Sequence, residues 1–276
     1  MKPALPHPAL RACVVVPARN EQDLIASALR SLAAQTGIEP YEYEVLVVLD
    51  NCTDATEKRA RQVADDHPEL RLHLLDGPGL GSGHARRIGM DAACERLIGL
   101  GRPKGLVAST DADTTVAPDW LSVQLDAVGR GARAIGGRIE LDQGSLSEAA
   151  IRWHAERGKA RHHKLLADPD RLGTTEHWQF SGASLALTAE TYARVGGLEP
   201  RAALEDEGLE QVLREERIPI DRLLSVRATT SSRLEGRASQ GLAHDLAAAS
   251  SRLDDTNTPH ARGQDRLFPT VQGTRQ

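Results

Sequence analysis

The stretch ACVVVPARNEQDLIASALRSLAAQ, residues 12 to 35, decides the fold class. It opens with an apolar, β-branched run typical of a buried strand, and then continues into a segment whose apolar residues recur every three or four positions, as on one face of a helix. These recurring residues are Leu24, Ile25, Ala28, Leu29 and Leu32. A second apolar run, YEVLVVLD at 43 to 50, follows. Strand, helix and strand in this order predict two parallel strands joined by a helical crossover.

The same alternation continues along the chain. A helix predicted over 53–64 leads to the strand RLHLLD, a helix over 84–97 leads to GLVAST, and ARAIGGRIEL follows. Because the apolar runs are unbroken, these strands are expected to be buried on both faces. We therefore predict a single α/β domain with a mostly parallel central sheet flanked by helices.

The pattern changes in the second half. Residues 145–176, rich in His and Arg, are interpreted as a helix and a loop; FSGASLAL, a helix over 189–195 and the acidic helix LEDEGLEQVLREE come next. Residues 254–276 are polar without periodicity and are predicted to be a mobile tail. The domain is thus expected to span 1–253, divided into halves at 11–140 and 141–253.

Composition limits the class of protein. The chain has 276 residues, of which 40% are hydrophobic and 26% charged, and a formal net charge of −5. This is ordinary for a globular chain and argues against nonspecific binding of nucleic acid, which needs a basic face. The apolar runs are too short to span a membrane, so we expect a soluble, cytoplasmic protein. Three separated cysteines argue against a disulfide framework or a zinc site.

Polar segments follow each of the first four strands. They are PARNE (17–21), DNCTD (50–54), DGPGLGSGHARR (76–87) and DADTT (111–115). Because ligands of parallel sheets bind outside the carboxyl ends of the strands, all four segments are expected at one ligand-binding edge. The glycines of the third segment lack the G-x-G-x-x-G spacing and do not follow the first strand, which argues against a dinucleotide-binding dehydrogenase.

Three groups of residues carry candidate chemistry, and each has a structural alternative. Asp111 and Asp113 can face one hard cation, or they are turn and cap residues; the same D-x-D pattern at 168–170 shows that the spacing is not specific. Arg86 or Arg87 can approach a phosphate, or both are solvated. Asp206, crowded by neighbouring acids, can act as a general base, or the cluster simply complements a helix N-terminus.

Aromatic residues are few. Trp153 and Trp178 are candidates for stacking against a sugar, whereas Trp120 is expected in the core.

Six motifs in order resemble glycosyltransferase family 2, the inverting nucleotide-sugar transferases of GT-A (Rossmann-like) fold. The motifs are VVVPARNE, VVLDNCTDAT, GPGLGSGHARRIGMDAA, STDADTTVAPDWL, FSGASLALTAETYARVGGL and LEDEGLEQVL. The resemblance covers residues 11–245. It implies a metal-dependent enzyme that moves one sugar from a nucleoside-diphosphate sugar, a UDP- or GDP-sugar, to an acceptor hydroxyl, with Mg²⁺ or Mn²⁺ as cofactor. The 11–140 half would bind nucleotide and the 141–253 half would hold the acceptor and the catalytic residue.

The resemblance also implies roles for individual residues. The expected donor nucleotide-binding residues are Pro17, Ala18, Arg19, Glu21, Asp50, Arg86, Asp111 and Ala112, with Asp50 at the base, Arg86 at the diphosphate and Asp111 at the ribose. The expected donor-sugar and acceptor residues are Ser181, Gly182, Ala183, Ser184, Trp178 and Glu205. The expected catalytic base is Asp206, the expected metal ligands are Asp113 and His244, and the expected diphosphate contacts are Arg233 and Arg237.

The chain also departs from the family pattern. Leu49 and Asn51 flank Asp50 where many relatives carry a second aspartate, which weakens the expectation about which nucleotide base Asp50 selects. The Q-x-x-R-W motif and the membrane helices of processive members are missing. A sugar nucleotidyltransferase and a non-catalytic nucleotide-sugar-binding module remain alternatives, and monomer and homodimer are both left open.

Overall fold

Eight strands form one sheet in the computed structural model, which describes residues 3–142, 144, 148–201 and 204–233. The strands are β1 (Ala12–Ala18), β2 (Tyr43–Leu49), β3 (Leu72–Asp76), β4 (Leu106–Ser109), β5 (Thr114–Val116), β6 (Ala134–Leu141), β7 (Leu185–Thr188) and β8 (Ile220–Thr230). Their order across the sheet is β3-β2-β1-β4-β7-β6-β8-β5. The predicted tail, 254–276, lies outside the described residues.

Seven helices pack on the sheet in the described part of the chain. They are α1 (Ile25–Ala33), α2 (Thr56–Asp66), α3 (Ser82–Gly99), α4 (Trp120–Gly129), α5 (Glu148–Leu166), α6 (Ala189–Arg194) and α7 (Glu205–Glu215), and a short 3₁₀ turn covers Pro40–Glu42. The helix predicted from residue 53 begins three residues later. The Asp54 carboxylate accepts a hydrogen bond from the Thr56 N–H at 2.9 Å, which makes a turn of residues 54–56 before the helix starts.

The sheet is mixed, and its continuous parallel part, β3-β2-β1-β4, lies in the N-terminal half. β1 pairs in parallel with β2 and β4, and β2 with β3, as the sequence predicts. β7 runs antiparallel to β4 and β6, while β8 runs parallel to β6 and antiparallel to β5. The sequence did not predict β5 or β8. The α/β fold with a mostly parallel sheet is confirmed, and the two strands that run opposite to the others are β5 and β7.

Two apolar cores lie on opposite faces of the sheet. Val14 and Val16 face one core with α1, α2 and α4, whereas Cys13 and Val15 face the other with α3, α6 and α7. This alternation follows from the period of two along a strand. A Cβ atom on Gly89 would lie 2.3 Å from Val15 Cγ1, so glycine allows α3 to pack closely on β1.

None of the helices that the structure describes is long and apolar enough to cross a membrane.

Candidate active site

A cleft of about 1220 Å³ opens at the carboxyl ends of β1, β2 and β4, and it is bordered by the 181–183 turn, by α5 and by the start of α7. The predicted site residues that line it are Pro17, Ala18, Arg19, Glu21, Asp50, Arg86, Asp111, Ala112, Asp113, Trp178, Ser181, Gly182, Ala183, Glu205, Asp206 and Arg233. Ser184 lies behind the wall, where its Oγ accepts a hydrogen bond from Trp120 Nε1 at 2.9 Å. Arg237 and His244 are outside the described residues.

Asp50 shapes one end of the cleft. Its buried carboxylate accepts hydrogen bonds from the N–H groups of Gly79 at 2.6 Å and Gly81 at 2.9 Å. Both glycines have positive φ angles, of 75° and 107°, which side chains rarely tolerate. Asp50 thus holds the loop before α3 in place. Its contact with a nucleotide base stays a prediction.

Arg86 lies beneath the cleft and joins three of its walls. Its guanidinium donates to Asp111 Oδ1 at 2.8 Å, to Glu205 Oε1 at 2.7 Å, to Ser109 Oγ at 2.6 Å and to the Gly182 carbonyl at 3.1 Å. Burial opposes the charge, but the carboxylates of Asp111 and Glu205 outweigh it and hold the pKa of Arg86 above its ordinary value. Through these four hydrogen bonds, Arg86 positions Asp111, Glu205 and the 181–184 turn. Its direct contact with a diphosphate stays a prediction.

The two aspartates of the D-x-D motif have different partners. Asp111 is held by Arg86, while Asp113 Oδ2 lies 3.0 Å from Arg233 Nη2. Burial, together with the negative charge of Asp111, raises the pKa of Asp113 to about 6 against the opposing effect of Arg233. The segments that follow β4 and β8 therefore enclose a largely buried carboxylate that has acidic neighbours and one arginine beside it.

Arg233 supplies positive charge at this point. Its guanidinium donates two hydrogen bonds to Glu21, at 2.7 and 2.6 Å, besides its contact with Asp113. It therefore ties the segment after β8 to the segment after β1. Arg233 thus lies beside the D-x-D motif, and its contact with a diphosphate stays a prediction.

The carboxylates of the D-x-D motif are ligands suited to a hard cation. Among the described residues, no group of three or more His, Cys, Asp and Glu side chains could hold a metal ion by itself. Mg²⁺, however, is usually held by one or two carboxylates together with substrate phosphates. Asp113, with Asp111 nearby, fits that arrangement, because carboxylate oxygens are hard ligands and both residues line the cleft.

The 181–184 turn links the D-x-D motif to the acidic helix. The Gly182 N–H donates to Asp206 Oδ2 at 3.1 Å, and the Gly182 carbonyl accepts from Arg86. A Cβ atom at Gly182 would lie 2.4 Å from Arg86 Nη2, so this backbone approach requires glycine. The turn is therefore built around Arg86.

The acids at the start of α7 differ in environment. Glu205 is buried and bonded to Arg86, whereas Asp206 is partly exposed, lines the cleft, and accepts hydrogen bonds from Gly182 and from the Glu207 N–H at 2.9 Å. Asp206 is thus an accessible carboxylate held in one orientation.

One wall of the cleft comes from the His- and Arg-rich segment that was predicted to contain a helix. This wall is formed by α5, which contributes residues recurring at helical spacing. The cleft-lining residues of α5 are Trp153, His154, Arg157, Gly158, Arg161, Lys164 and Leu165. Trp153 was predicted to stack against a sugar, and the basic residues of this segment were interpreted, from the resemblance, either as a surface for an anionic acceptor or as a solvated helix. The spacing of the basic residues at 157, 161 and 164 was the available signal.

Comparison with known proteins identifies the family. Residues 13–183 match the model for glycosyl transferase family 2. The chain belongs to this family. This confirms the family predicted from the six motifs.

Two curated proteins illustrate the relationship. The chain is 30% identical over 152 residues to dolichyl-phosphate beta-glucosyltransferase of Drosophila melanogaster, covering 51% of the chain and 44% of that protein. It is 33% identical over 197 residues to polyprenol monophosphomannose synthase of Mycolicibacterium smegmatis (strain ATCC 700084 / mc(2)155), covering 70% of the chain and 58% of that protein. The chain therefore spans about half the length of these relatives. Their names agree with the enzyme class predicted from the sequence.

Solved structures show the same fold. Mannosyltransferase PcManGT from Pyrobaculum calidifontis, in complex with GDP-Man and Mn²⁺, superposes with a TM-score of 0.60 at 19% identity, over 92% of this chain and 79% of that one. S. aureus TarS 1-349 in complex with UDP-GlcNAc gives 0.56 at 17% identity, over 90% and 74%. At these identities the likeness establishes a GT-A-like fold and nothing finer.

Proposed function

We propose that the chain transfers one sugar from a nucleoside-diphosphate sugar to an acceptor hydroxyl, with inversion at the anomeric carbon. The observation that carries this proposal is the network around Arg86. Through Arg86 and Gly182, the D-x-D carboxylate of Asp111 and the accessible carboxylate of Asp206 are held on one rigid frame, and both line the same cleft.

The donor is proposed to lie between the segments that follow β1, β2 and β4. Pro17 to Glu21, the loop held by Asp50, and Asp111 to Asp113 line this side of the cleft. Asp113 would hold Mg²⁺ or Mn²⁺ together with the diphosphate, and Arg233 would contact the diphosphate. When bound, the cation would neutralise charge on the departing diphosphate. The complexes of PcManGT with GDP-Man and Mn²⁺ and of TarS with UDP-GlcNAc support this choice of ligand.

Asp206 is proposed as the general base. It would accept the proton of the acceptor hydroxyl as that oxygen forms a bond to the anomeric carbon. The bond from the anomeric carbon to the phosphate oxygen would break, with its electron pair leaving on the diphosphate. The hydrogen bond from Gly182 to Oδ2 orients the carboxylate for this task.

The division into a nucleotide half, 11–140, and an acceptor half, 141–253, is part of the same proposal. Apart from Arg233, the residues proposed for the donor side of the cleft come from the first half, while the 181–183 turn and the start of α7 come from the second.

The test begins with binding. UDP, GDP and their sugars are screened with Mg²⁺ and Mn²⁺ by thermal shift, and at least one nucleotide is expected to raise the melting temperature. If none does, the proposal is wrong. Release of pyrophosphate from a nucleoside triphosphate and a sugar phosphate would instead indicate a nucleotidyltransferase.

Asp206→Asn then tests the base. Turnover of the donor is expected to fall about 100-fold to 10,000-fold, because the amide cannot accept the proton, while nucleotide affinity changes little. The control is Glu215→Gln, at the exposed far end of the same helix. Equal turnover in Asp206→Asn and the wild-type protein would exclude Asp206 as the base.

A further inference from the structure

One face of α5 borders the cleft and is basic. Among the cleft-lining residues of α5, all of which are described, Arg157, Arg161 and Lys164 carry positive charge and none is acidic. These residues lie three or four positions apart, so they form one stripe along the helix.

The acidic residues of α5 lie on its other face. Glu148 pairs with Arg152 at 3.5 Å, and Glu156 pairs with Lys159 at 2.8 Å; all four side chains are largely exposed, and none of them lines the cleft. The helix therefore separates its charges, with mixed pairs facing solvent and cations facing the cleft.

Two of the cleft-facing arginines are held against tryptophans. The Arg161 guanidinium carbon lies 4.8 Å from the ring centre of Trp178, and that of Arg157 lies 5.1 Å from Trp153. Stacking fixes the plane of a guanidinium, whose N–H donors then project from its edge and suit the paired oxygens of a phosphate. This use differs from the sugar stacking expected for Trp153 and Trp178, because an arginine lies over one face of each ring.

The position of α5 against Trp178 depends on Gly158. A Cβ atom there would lie 2.9 Å from Trp178 Nε1. Glycine in the middle of a helix is unfavourable by itself, so its presence at this contact lets the basic face lie close to the cleft wall.

We propose that this face of α5 binds a phosphate group carried by the acceptor. The inference rests on the proposed function, since it places the phosphate on the acceptor side of the cleft that would hold the donor. Several adjacent cations suit a phosphate dianion better than a neutral acceptor. The phosphate would hold the acceptor while its hydroxyl group faces Asp206.

The experiment measures binding of matched probes by calorimetry. The full-length protein is first saturated with the nucleoside diphosphate that stabilises it, together with Mg²⁺, so that the donor side is occupied. Glycerol 3-phosphate is compared with glycerol, and 1-oleoylglycerol 3-phosphate with 1-oleoylglycerol, so that every probe keeps a free hydroxyl group. We expect at least one phosphorylated probe to bind about tenfold or more tightly than its neutral partner, and its affinity to fall as NaCl is raised. Tighter binding of glycerol 3-phosphate would indicate a small phosphorylated acceptor, and tighter binding of the lipid probe would indicate an acceptor that is a phosphorylated lipid.

Variants test where the phosphate binds. Arg157→Ala, Arg161→Ala and Lys164→Ala together should weaken the phosphorylated probe about tenfold or more, whereas Arg152→Ala with Lys159→Ala, on the outer face, should change it less than about twofold. If the triple variant does not fold, Lys164→Ala alone and the salt dependence of the wild-type protein provide the same comparison.

Three results would overturn the inference. The first is equal affinity for phosphorylated and neutral probes. The second is an equal loss of affinity in the triple variant of the cleft-facing residues and in the double variant of the outer face. The third is an affinity for the phosphorylated probe that does not change with salt. A wild-type protein that binds nucleotide but no phosphorylated probe contradicts this inference alone. A protein that binds no nucleotide contradicts the proposed function.

Discussion

Replacing Arg86 by Met tests the network that holds the cleft together. The side chains of Arg86 and Glu205 are only 4% and 5% exposed, while that of Asp111 is 34% exposed. Methionine would fill much of the same space but donate no hydrogen bond. The change would therefore leave the Glu205 carboxylate buried without its cation, whereas water could still reach Asp111.

The expected cost follows from that burial. Removing one partner of a buried ion pair destabilises proteins by about 3–5 kcal/mol. We expect Arg86→Met to lower the free energy of unfolding by this amount, measured by urea denaturation at pH 7 with tryptophan fluorescence. Adding Glu205→Gln removes the stranded charge, so the double variant should be at least about 1 kcal/mol more stable than Arg86→Met alone.

The control is an exposed pair. Arg194 lies 3.2 Å from Glu216, with side chains 56% and 48% exposed, so Arg194→Met should cost no more than about 1 kcal/mol. The reasoning about Arg86 would be refuted if both methionine variants lost the same stability, or if Glu205→Gln gave no recovery in the Arg86→Met background.

Two further predictions concern the turn and a buried histidine. Gly182→Ala should lower the free energy of unfolding by about 1–3 kcal/mol in urea denaturation, because its Cβ would lie 2.4 Å from Arg86 Nη2. The control Gly99→Ala, whose Cβ would have nothing within 4 Å, should be neutral or slightly stabilising. Equal stabilities of the two variants would contradict the close approach at Gly182. Burial lowers the pKa of His177 to about 4, so the unfolded chain binds a proton more readily than the folded one below pH 6.5. Between pH 7.5 and 4.5, His177 should therefore contribute a loss of about 2–3 kcal/mol to the free energy of unfolding, and His177→Gln should lack this loss. If the two proteins lose stability in parallel over this pH range, His177 does not titrate as expected.

The N-terminal half could be predicted because its signals are local. The apolar runs of β1 and β2 and the spacing of Ile25, Leu29 and Leu32 in α1 report burial directly, since each strand is covered on both faces. β8 escaped prediction because several of its residues face solvent, so Ile220 and Val226 stand among polar neighbours. β5 has three residues and exists by pairing with β8.

The sequence by itself determined the order of the first four strands and their helices and which polar segments leave those strands, because periodicity and turn chemistry act between neighbouring residues. It also identified the family. Only the tertiary structure decided what those polar residues contact. Arg86 meets Asp111, Gly182 and Glu205, residues 25 to 119 positions away, and α5 turns its basic face to the cleft. Such contacts depend on how helices dock on the finished sheet, and the local pattern of residues does not encode that docking.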